Sequence, residues 1–498
     1  MAKTVIGAIE SVLDFAEKTG LIEKEDRAYS RNRLMEIMHL DAPDGEETAS
    51  LSLGDTMTEA LDALSDMAAE KGIISDTLES RDLFSARLAG AVTPSPFETR
   101  TRFFEKYTKS PEEATSWFYA MCRDADYIKV DRIRKNARYF AEGLEITINL
   151  SKPEKDPRDI ANALKAKSAG YPKCMLCVEN PGYAGRPGFP ARQNHRMIPL
   201  TIGGESWHMQ YSPYLYYNEH CIVLSDEHLP MKISREGFNR LFDFVEQFPH
   251  YFLGSNADLP IVGGSILTHD HFQGGNYEFP MDRAGAEINL TCEDEDISAA
   301  IVDWPMSCLR LTSQNRASLI DRAVKVLGAW RVYSDESNGI FAETDQKHNT
   351  VTPILRRKDG AWKLDLVLRN NRTDKDNPLG IFHPHADLHH IKKENIGLIE
   401  VMGLMILPGR LLSELSEVEK LLTGAEANVN EAHRPWAEAL AAQFGTANSP
   451  EAAKEIVQNG VGKKCRRVLS DAGVYKQTPE GRRGFVRFLN TVGFRQAE

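Results

Sequence analysis

Cysteine is scarce in this chain and odd in number. Seven residues, Cys122, Cys174, Cys177, Cys221, Cys292, Cys308 and Cys465, are spread over 498 positions. A set this sparse does not make a disulfide framework and fits a reducing compartment. Long apolar runs are lacking too. The most apolar stretch, Ile396 to Leu407, is interrupted by Glu400 and stopped by Pro408, which is too short for a membrane span. Met1-Ala2-Lys3-Thr4 runs into acidic amphipathic sequence rather than an apolar leader. The expectation is a cytoplasmic protein with no membrane partner. Positive charge is in deficit, with 60 Lys and Arg against 72 Asp and Glu and a formal net charge of −12. An acidic surface argues against a general nucleic-acid binder. It leaves anionic small substrates open, because distant charge is screened and a local basic pocket decides.

What is present is an ordinary globular composition, 42% hydrophobic and 27% charged, in a chain long enough for several domains. Residues 1–165 read as mainly helical. Val5, Ile6, Ile9, Val12, Leu13 and Ala16 keep helical spacing up to a stop at Gly20, and a second helical pattern runs from Thr56 to about Lys71. Pro43 to Glu47 is a loop, and Ile146 to Leu150 alternates like a strand. Residues 166–295 differ in character. Cys174 to Gly204 is rich in Gly and Pro, Tyr214 to Tyr216 and Cys221 to Leu224 are strand-like, and Ser234 caps a helix with Phe238, Leu241, Phe242 and Val245 on one face. Residues 296–440 repeat this order loosely. A hairpin at Lys358-Asp359-Gly360 precedes a strand at Trp362 to Leu368, Ile381 to His385 reads as a histidine-rich strand, and Glu394 to Leu407 as helix. Residues 441–498 are polar and helical. Their Arg482, Arg483 and Arg487 suit a solvated face better than an RNA site.

The most informative stretch is Thr268-His269-Asp270-His271-Phe272-Gln273-Gly274-Gly275, preceded by the apolar, β-prone Leu259 to Leu267. On an extended strand alternate side chains share a face, so His269, His271 and Gln273 would converge. A neutral imidazole is a competent nucleophile near neutral pH. An amide donates a hydrogen bond to an anion without carrying a proton to lose. That combination suits transfer of a phosphoryl-type group; the same residues also fit a metal pair or two polar strand positions. Cys174-Met175-Leu176-Cys177 reads as a metal knuckle in a reducing compartment. Zinc needs four ligands, for which His195, His208, His220, His228 and His269 are candidates; two unligated cysteines are the alternative. Arg186, Arg192 and Arg196 have the geometry to clamp a diphosphate, or are ordinary surface cations.

Taken in order, these motifs resemble the histidine-triad superfamily: Tyr217 to His228 is similar to its strand–turn–strand, followed by a helix and the His-x-His-x-Gln strand. Gln273 in place of a third histidine, with Cys-x-x-Cys upstream, resembles the hexose-1-phosphate uridylyltransferases. The long helical N-terminal extension resembles their second, Gram-positive type. The resemblance implies an α+β fold of two histidine-triad-like units, each an antiparallel sheet with packed helices. The units are a catalytic one at 166–295 and a second at 296–440, with helical additions at 1–165 and 441–498. It implies a nucleotidyltransferase acting on UDP-glucose and galactose 1-phosphate through a uridylyl-histidine on His271. Gln273 would bind the transferred phosphoryl oxygens and Asn180 the nucleotide. Cys174, Cys177, His228 and His269 would hold a structural zinc. Glu287, His383 and His385 would serve a second metal, with His348, His389 or His390 completing it. A homodimer is implied. Two departures stand out: Ser265 lies four residues before His269 rather than three, and Asp270 separates the histidines. Thr268 or the amides of Gly263 and Gly264 are therefore alternative phosphate contacts. The rival readings are a related nucleotide hydrolase or phosphorylase, and a zinc-stabilised nucleotide-binding protein without catalysis.

Overall fold

The computed structural model describes residues 4–43, 54–150, 170–264 and 266–497. Two compact units form, one from Met1–Lys135, Ser151–Leu215 and Glu219–His228, the other from Asn136–Leu150, Tyr216–Asn218 and Leu229–Glu498. Among the described residues no helix is long and apolar enough to cross a membrane.

The first unit starts with helices whose ends are written in the sequence. In Val5–Thr19 the Thr4 hydroxyl accepts from the Gly7 amide, and Gly20 ends the helix at φ 73. Thr58–Glu70 matches the second helical pattern. Pro96–Tyr107 and Pro111–Asp124 each begin with Pro after a capping serine, Ser95 and Ser110. Three antiparallel strands follow, Ile198–Ile202, Glu205–Tyr211 and Cys221–Ser225. Gly203 and Gly204, at φ 61 and 77, supply the positive-φ pair of the first hairpin's two-residue turn. Tyr214 to Tyr216 is not the expected strand. Pro213 interrupts it, and Ser212 Oγ accepts from the Tyr214 amide to close a local turn.

The second unit is built on eight antiparallel strands. Their spatial order is Arg495–Gln496, Ala286–Thr291, Ser298–Val302, Cys308–Ser313, Ala361–Asn370, Asn349–Lys358, Phe252–Gly254 and His271–Gly275. The hairpin turns at Asp359 and Gly360, φ 52 and 79, as the Asp-Gly pair foretold. A smaller sheet joins Ala137–Ala141 antiparallel to Leu144–Asn149, which runs parallel to Leu404–Pro408. The helix Pro450–Ala472 lies against it so closely that a Cβ on Gly462 would come within 2.6 Å of Ala141 Cβ. The helix Arg235–Gln247, capped by Ser234, buries Phe238, Leu241, Phe242 and Val245 as anticipated. With helices packed against antiparallel sheets, the fold is α+β.

Three expectations fail here for local reasons. Among the described residues of 259–267 no strand forms: Pro260 has no amide hydrogen, Ile261 sits at φ 75, and Gly263 makes an isolated bridge to Ala257. Ile381 to His385 is not a strand, because Gly380 at φ 125 and Pro384 bracket it. Glu394 to Leu407 splits into a short helix, Leu398–Val401, and a strand, Leu404–Pro408. The break is Gly403, at φ 98, where a Cβ would meet the Trp304 ring at 2.8 Å.

Across three adjacent strands, Cys308–Ser313, Ala361–Asn370 and Asn349–Lys358, the large sheet carries a buried ionic triad. Asp365 is fully buried and accepts from Arg310 Nε at 2.7 Å, Arg310 Nη2 at 3.0 Å and Arg356 Nη1 at 2.9 Å. Burial alone would raise this carboxyl, but the two guanidiniums outweigh it and hold it below the ordinary carboxylate range. The stabilisation is thus present above the unfolded carboxyl's pKa and is lost as pH falls through the lower folded value. Asp365→Ala removes the carboxylate that Arg310 and Arg356 share, leaving Arg356 with Asp282 and Arg310 with backbone carbonyls, and should cost about 3 kcal/mol. Urea unfolding monitored by circular dichroism checks this; an unchanged midpoint would show that the triad is energetically idle.

Candidate active site

His271 opens the strand His271–Gly275, so His271 and Gln273 lie on one face of it. His269 precedes the strand in a bend; the run of three side chains on one regular strand therefore reduces to two. The strand is held by Phe252–Gly254, with Gly254 opposite Gln273, and by Tyr217, whose hydroxyl donates to the Gly274 carbonyl at 3.0 Å.

The His271 ring is fixed from its Nδ1, which lies 2.8 Å from the His269 carbonyl oxygen. A carbonyl only accepts, so Nδ1 carries the hydrogen and Nε2 the lone pair. Burial pulls the ring's pKa down to about 4, opposed by the bond to the His269 carbonyl. His271 is therefore neutral near pH 7, with its nucleophilic nitrogen set by the backbone. Asp270 faces elsewhere: its amide donates to the Leu229 carbonyl at 2.6 Å and its carboxylate accepts from Arg240 Nη1 at 3.3 Å. It is buried, not a surface carboxylate.

Among the proposed phosphate contacts, Thr268 is exposed and Ser265 lies outside the described residues. A Cβ on Gly263 would fall 2.2 Å from the Ala257 carbonyl oxygen, and one on Gly264 2.8 Å from Asn256 Nδ2. Gly263 is needed for close approach to backbone, whereas at Gly264 a Cβ would press on the Asn256 side chain.

In the first unit Cys174, Cys177 and His228 each bring one ligand atom within 4.8 Å of the others. The two sulfurs are 3.5 Å apart, and Cys177 Sγ is 3.4 Å from His228 Nδ1. Burial pushes the Cys174 thiol up to about 11, so a thiolate there requires a cation. Two thiols and an imidazole match the donor preferences of zinc. Asn180 is fully buried and donates through Nδ2 to the carbonyls of Cys174 at 3.0 Å and Cys177 at 2.8 Å. Its amide thus braces the knuckle, while Oδ1 is buried without a hydrogen-bond partner.

The arginines divide. Arg196 is no diphosphate clamp: it is buried and donates to the carbonyls of Pro94, Gln193, His195 and Thr93, a role no local pattern announces. Arg192 is buried with its guanidinium 5.8 Å from the Tyr127 ring centre, and Arg186 stacks on Phe189 at 4.7 Å while donating to the Tyr171 carbonyl. The second-metal set does not assemble among the described residues. Glu287 pairs with Arg482, His383 Nδ1 bonds the Pro384 carbonyl, and His385 lies beside Asp471. Of the further candidates, His348 bonds Asn371, His389 the Pro384 carbonyl and His390 His433.

The bracing role of Asn180 has a direct consequence. Asn180→Ala removes the side-chain donor shared by two knuckle carbonyls, which keep only backbone donors, and should lower stability by about 1–3 kcal/mol. Thermal denaturation reads this, and a melting temperature equal to the native one would remove Asn180 from that role.

Comparison with known proteins now bears on this geometry. The family model for the galactose-1-phosphate uridyl transferase N-terminal domain matches residues 20–230, and that for its C-terminal domain residues 243–438. A galactose-1-phosphate uridylyltransferase of Caldanaerobacter subterraneus subsp. tengcongensis is 49% identical over 509 aligned positions, covering 98% of each chain. That of Clostridium perfringens is 46% identical over 97% of this chain and 98% of its own, and that of Halalkalibacterium halodurans 48% identical over the same shares. A yeast Ap4A phosphorylase structure aligns over 65% of this chain and 91% of its own at 12% identity and a TM-score of 0.30. On identity sustained across nearly its whole length, the chain belongs to the galactose-1-phosphate uridylyltransferase family.

Proposed function

We infer that this chain moves a uridylyl group from UDP-glucose to galactose 1-phosphate through a covalent intermediate on His271. Family membership supports the reaction. The observation that carries the residue assignment is the Nδ1 bond from His271 to the His269 carbonyl, which leaves Nε2 as the nucleophile.

The Nε2 lone pair forms a bond to the α-phosphorus as the bond from that phosphorus to the bridging oxygen breaks. That oxygen leaves with glucose 1-phosphate. A phosphate oxygen of galactose 1-phosphate then bonds to the same phosphorus as the N–P bond breaks, and the lone pair returns to the ring. UDP-galactose is the product, and no net proton is consumed. Two displacements at one phosphorus give a ping-pong scheme. Gln273, on the same strand face, donates its amide to the phosphoryl oxygens where charge gathers. Thr268 and the amides of Gly263 and Gly264 are the proposed phosphate contacts, with Arg186 and Arg192 at the nucleotide.

The donor set of Cys174, Cys177, His228 and His269 suits a tetrahedral zinc. In this reading these residues would hold a structural zinc, which would neutralise the two thiolates and hold His269, two residues before the proposed nucleophile. A homodimer completes the proposal.

UDP-glucose labelled in the α-phosphate, given without acceptor, should leave acid-labile label on the native protein and none on His271→Asn. Galactose 1-phosphate should discharge it as UDP-galactose, and the variant's turnover should fall by at least about 10³-fold. Accumulating UMP with no labelled protein would indicate a hydrolase; neither label nor turnover would remove the transferase reading. Gln273→His restores an acid–base group beside the intermediate and should raise UMP release from labelled enzyme in acceptor-free buffer. An unchanged rate would show that the amide plays no part in sparing the intermediate from water.

A further inference from the structure

Far along the second unit from the His271 strand in sequence, a cleft of about 870 Å³ opens between residues 386 and 464. Its volume is in the range of small-molecule sites. His390, Arg410, Glu414, Trp436 and Lys464 line it.

Behind its wall runs a hydrogen-bonded series whose polarity is set by its first member. Glu414 Oε2 lies 2.9 Å from His433 Nε2. A carboxylate accepts, so His433 Nε2 donates, and in the neutral ring the lone pair sits on Nδ1. His433 Nδ1 is 2.7 Å from His390 Nδ1. With His433 in its neutral form, His390 donates from Nδ1, which leaves its own lone pair on Nε2. His433 is fully buried, whereas His390 is half-buried at the cleft. The carboxylate thus orders two imidazoles so that the outer one presents an acceptor. Burial, with Lys464 the foremost neighbouring charge, pulls His390 to about 4, which keeps that ring neutral.

The charges around it leave a cation over. Glu414 is paired with Arg410, and Asp387 with Arg467. The contact shown for the Lys464 ammonium is a long 3.4 Å approach to the Asp387 carbonyl oxygen. Arg410 spends Nη1 on Glu414 and Nη2 on the His390 carbonyl, which fixes its position at the rim. Trp436 lies against this, its ring centre 5.5 Å from that of His390. An ammonium for a phosphate, an indole face for a sugar ring and a fixed imidazole acceptor for a hydroxyl make a complementary set.

We propose that this cleft is a second binding site, for a phosphorylated sugar, with Lys464 on the phosphate, Trp436 against the ring and His390 Nε2 accepting from a hydroxyl. The Glu414–His433 pair positions His390 and touches no ligand. The site does not depend on the uridylyl-transfer reading.

The full-length protein titrated with galactose 1-phosphate should show a saturable change in tryptophan fluorescence. Trp436→Phe should abolish it, and Lys464→Ala should weaken the half-saturating concentration about tenfold, the value of one charge-assisted contact. Uridylyl transfer in both variants should stay within about twofold of native, which separates this cleft from the His271 site. Circular dichroism confirms that each variant is folded, and Lys464→Arg, which keeps the charge, should retain the signal. Free galactose should not produce it. Three results overturn the proposal: no Trp436-dependent signal, a signal indifferent to Lys464→Ala, or inorganic phosphate binding as tightly as the sugar phosphate, which would reduce the site to an anion contact.

Discussion

The hydrogen bond from His271 Nδ1 to the His269 carbonyl is the constraint on which the site chemistry rests. An imidazole free to choose its tautomer would present a lone pair on either nitrogen. A backbone carbonyl removes the choice, since it has no hydrogen to give. The bond is useful only if the carbonyl is itself held. Its peptide continues into Asp270, whose amide is tied to the Leu229 carbonyl and whose carboxylate is tied to Arg240 on the helix Arg235–Gln247. The apolar face that packs this helix thus reaches the nucleophile through one ion pair and one peptide. Asp270, which separates the two histidines, is part of that support.

Buried cations are used in the same spirit elsewhere. Arg196 is held at about 10 by burial, still charged at neutral pH, and joins the carbonyls of Gln193 and His195, in the irregular segment after the cysteine knuckle, to those of Thr93 and Pro94 before the helix Pro96–Tyr107. Arg310 and Arg356 lock neighbouring strands through Asp365. In each case a planar, multiply donating group ties together backbone or strands that apolar packing alone would leave free to slide. This is why guanidinium groups clustered in sequence are weak guides to phosphate sites: the donor fork that fits a diphosphate also fits several carbonyls.

Much of the fold was legible where the controlling interaction is local. Thr4 and Gly20 bound the first helix, Ser234 starts the helix that carries Arg240, and Asp359-Gly360 turns the longest hairpin. The Cys174–Cys177 pair and the alternation of His269, His271 and Gln273 were visible as types at a spacing, whereas His228 was singled out from five histidines only by the family resemblance. Strand assignment failed where apolar composition met backbone geometry that composition does not encode. Leu259 to Leu267 and Ile381 to His385 are apolar enough for strands, yet Pro260, Ile261 and Pro384 set dihedrals and donors that a ladder does not accept. Long-range pairs were invisible for another reason. Arg240 with Asp270, Glu287 with Arg482 and Glu414 with His433 join residues whose separation carries no periodic signal. Glu287 shows the cost: the family resemblance suggested a metal ligand, while its partner is Arg482, near the far end of the chain.

The remaining question is why a histidine strand should transfer a nucleotidyl group rather than discharge it to water. A phosphoramidate on His271 decays by the same in-line attack whether the nucleophile is water or a phosphate oxygen. The two differ in their need for a base: water must lose a proton as it attacks, whereas the phosphate of galactose 1-phosphate already carries its charge. A site without an acid–base side chain next to the phosphorus therefore penalises water and leaves the phosphate unaffected. In the proposed reaction His271 is spent as the nucleophile, while Asp270 is committed to Arg240 and Gln273 has no proton to exchange near neutral pH. Selectivity for the acceptor then follows from what the strand withholds as much as from what it supplies. A single residue type, glutamine on the face of His271, carries that distinction.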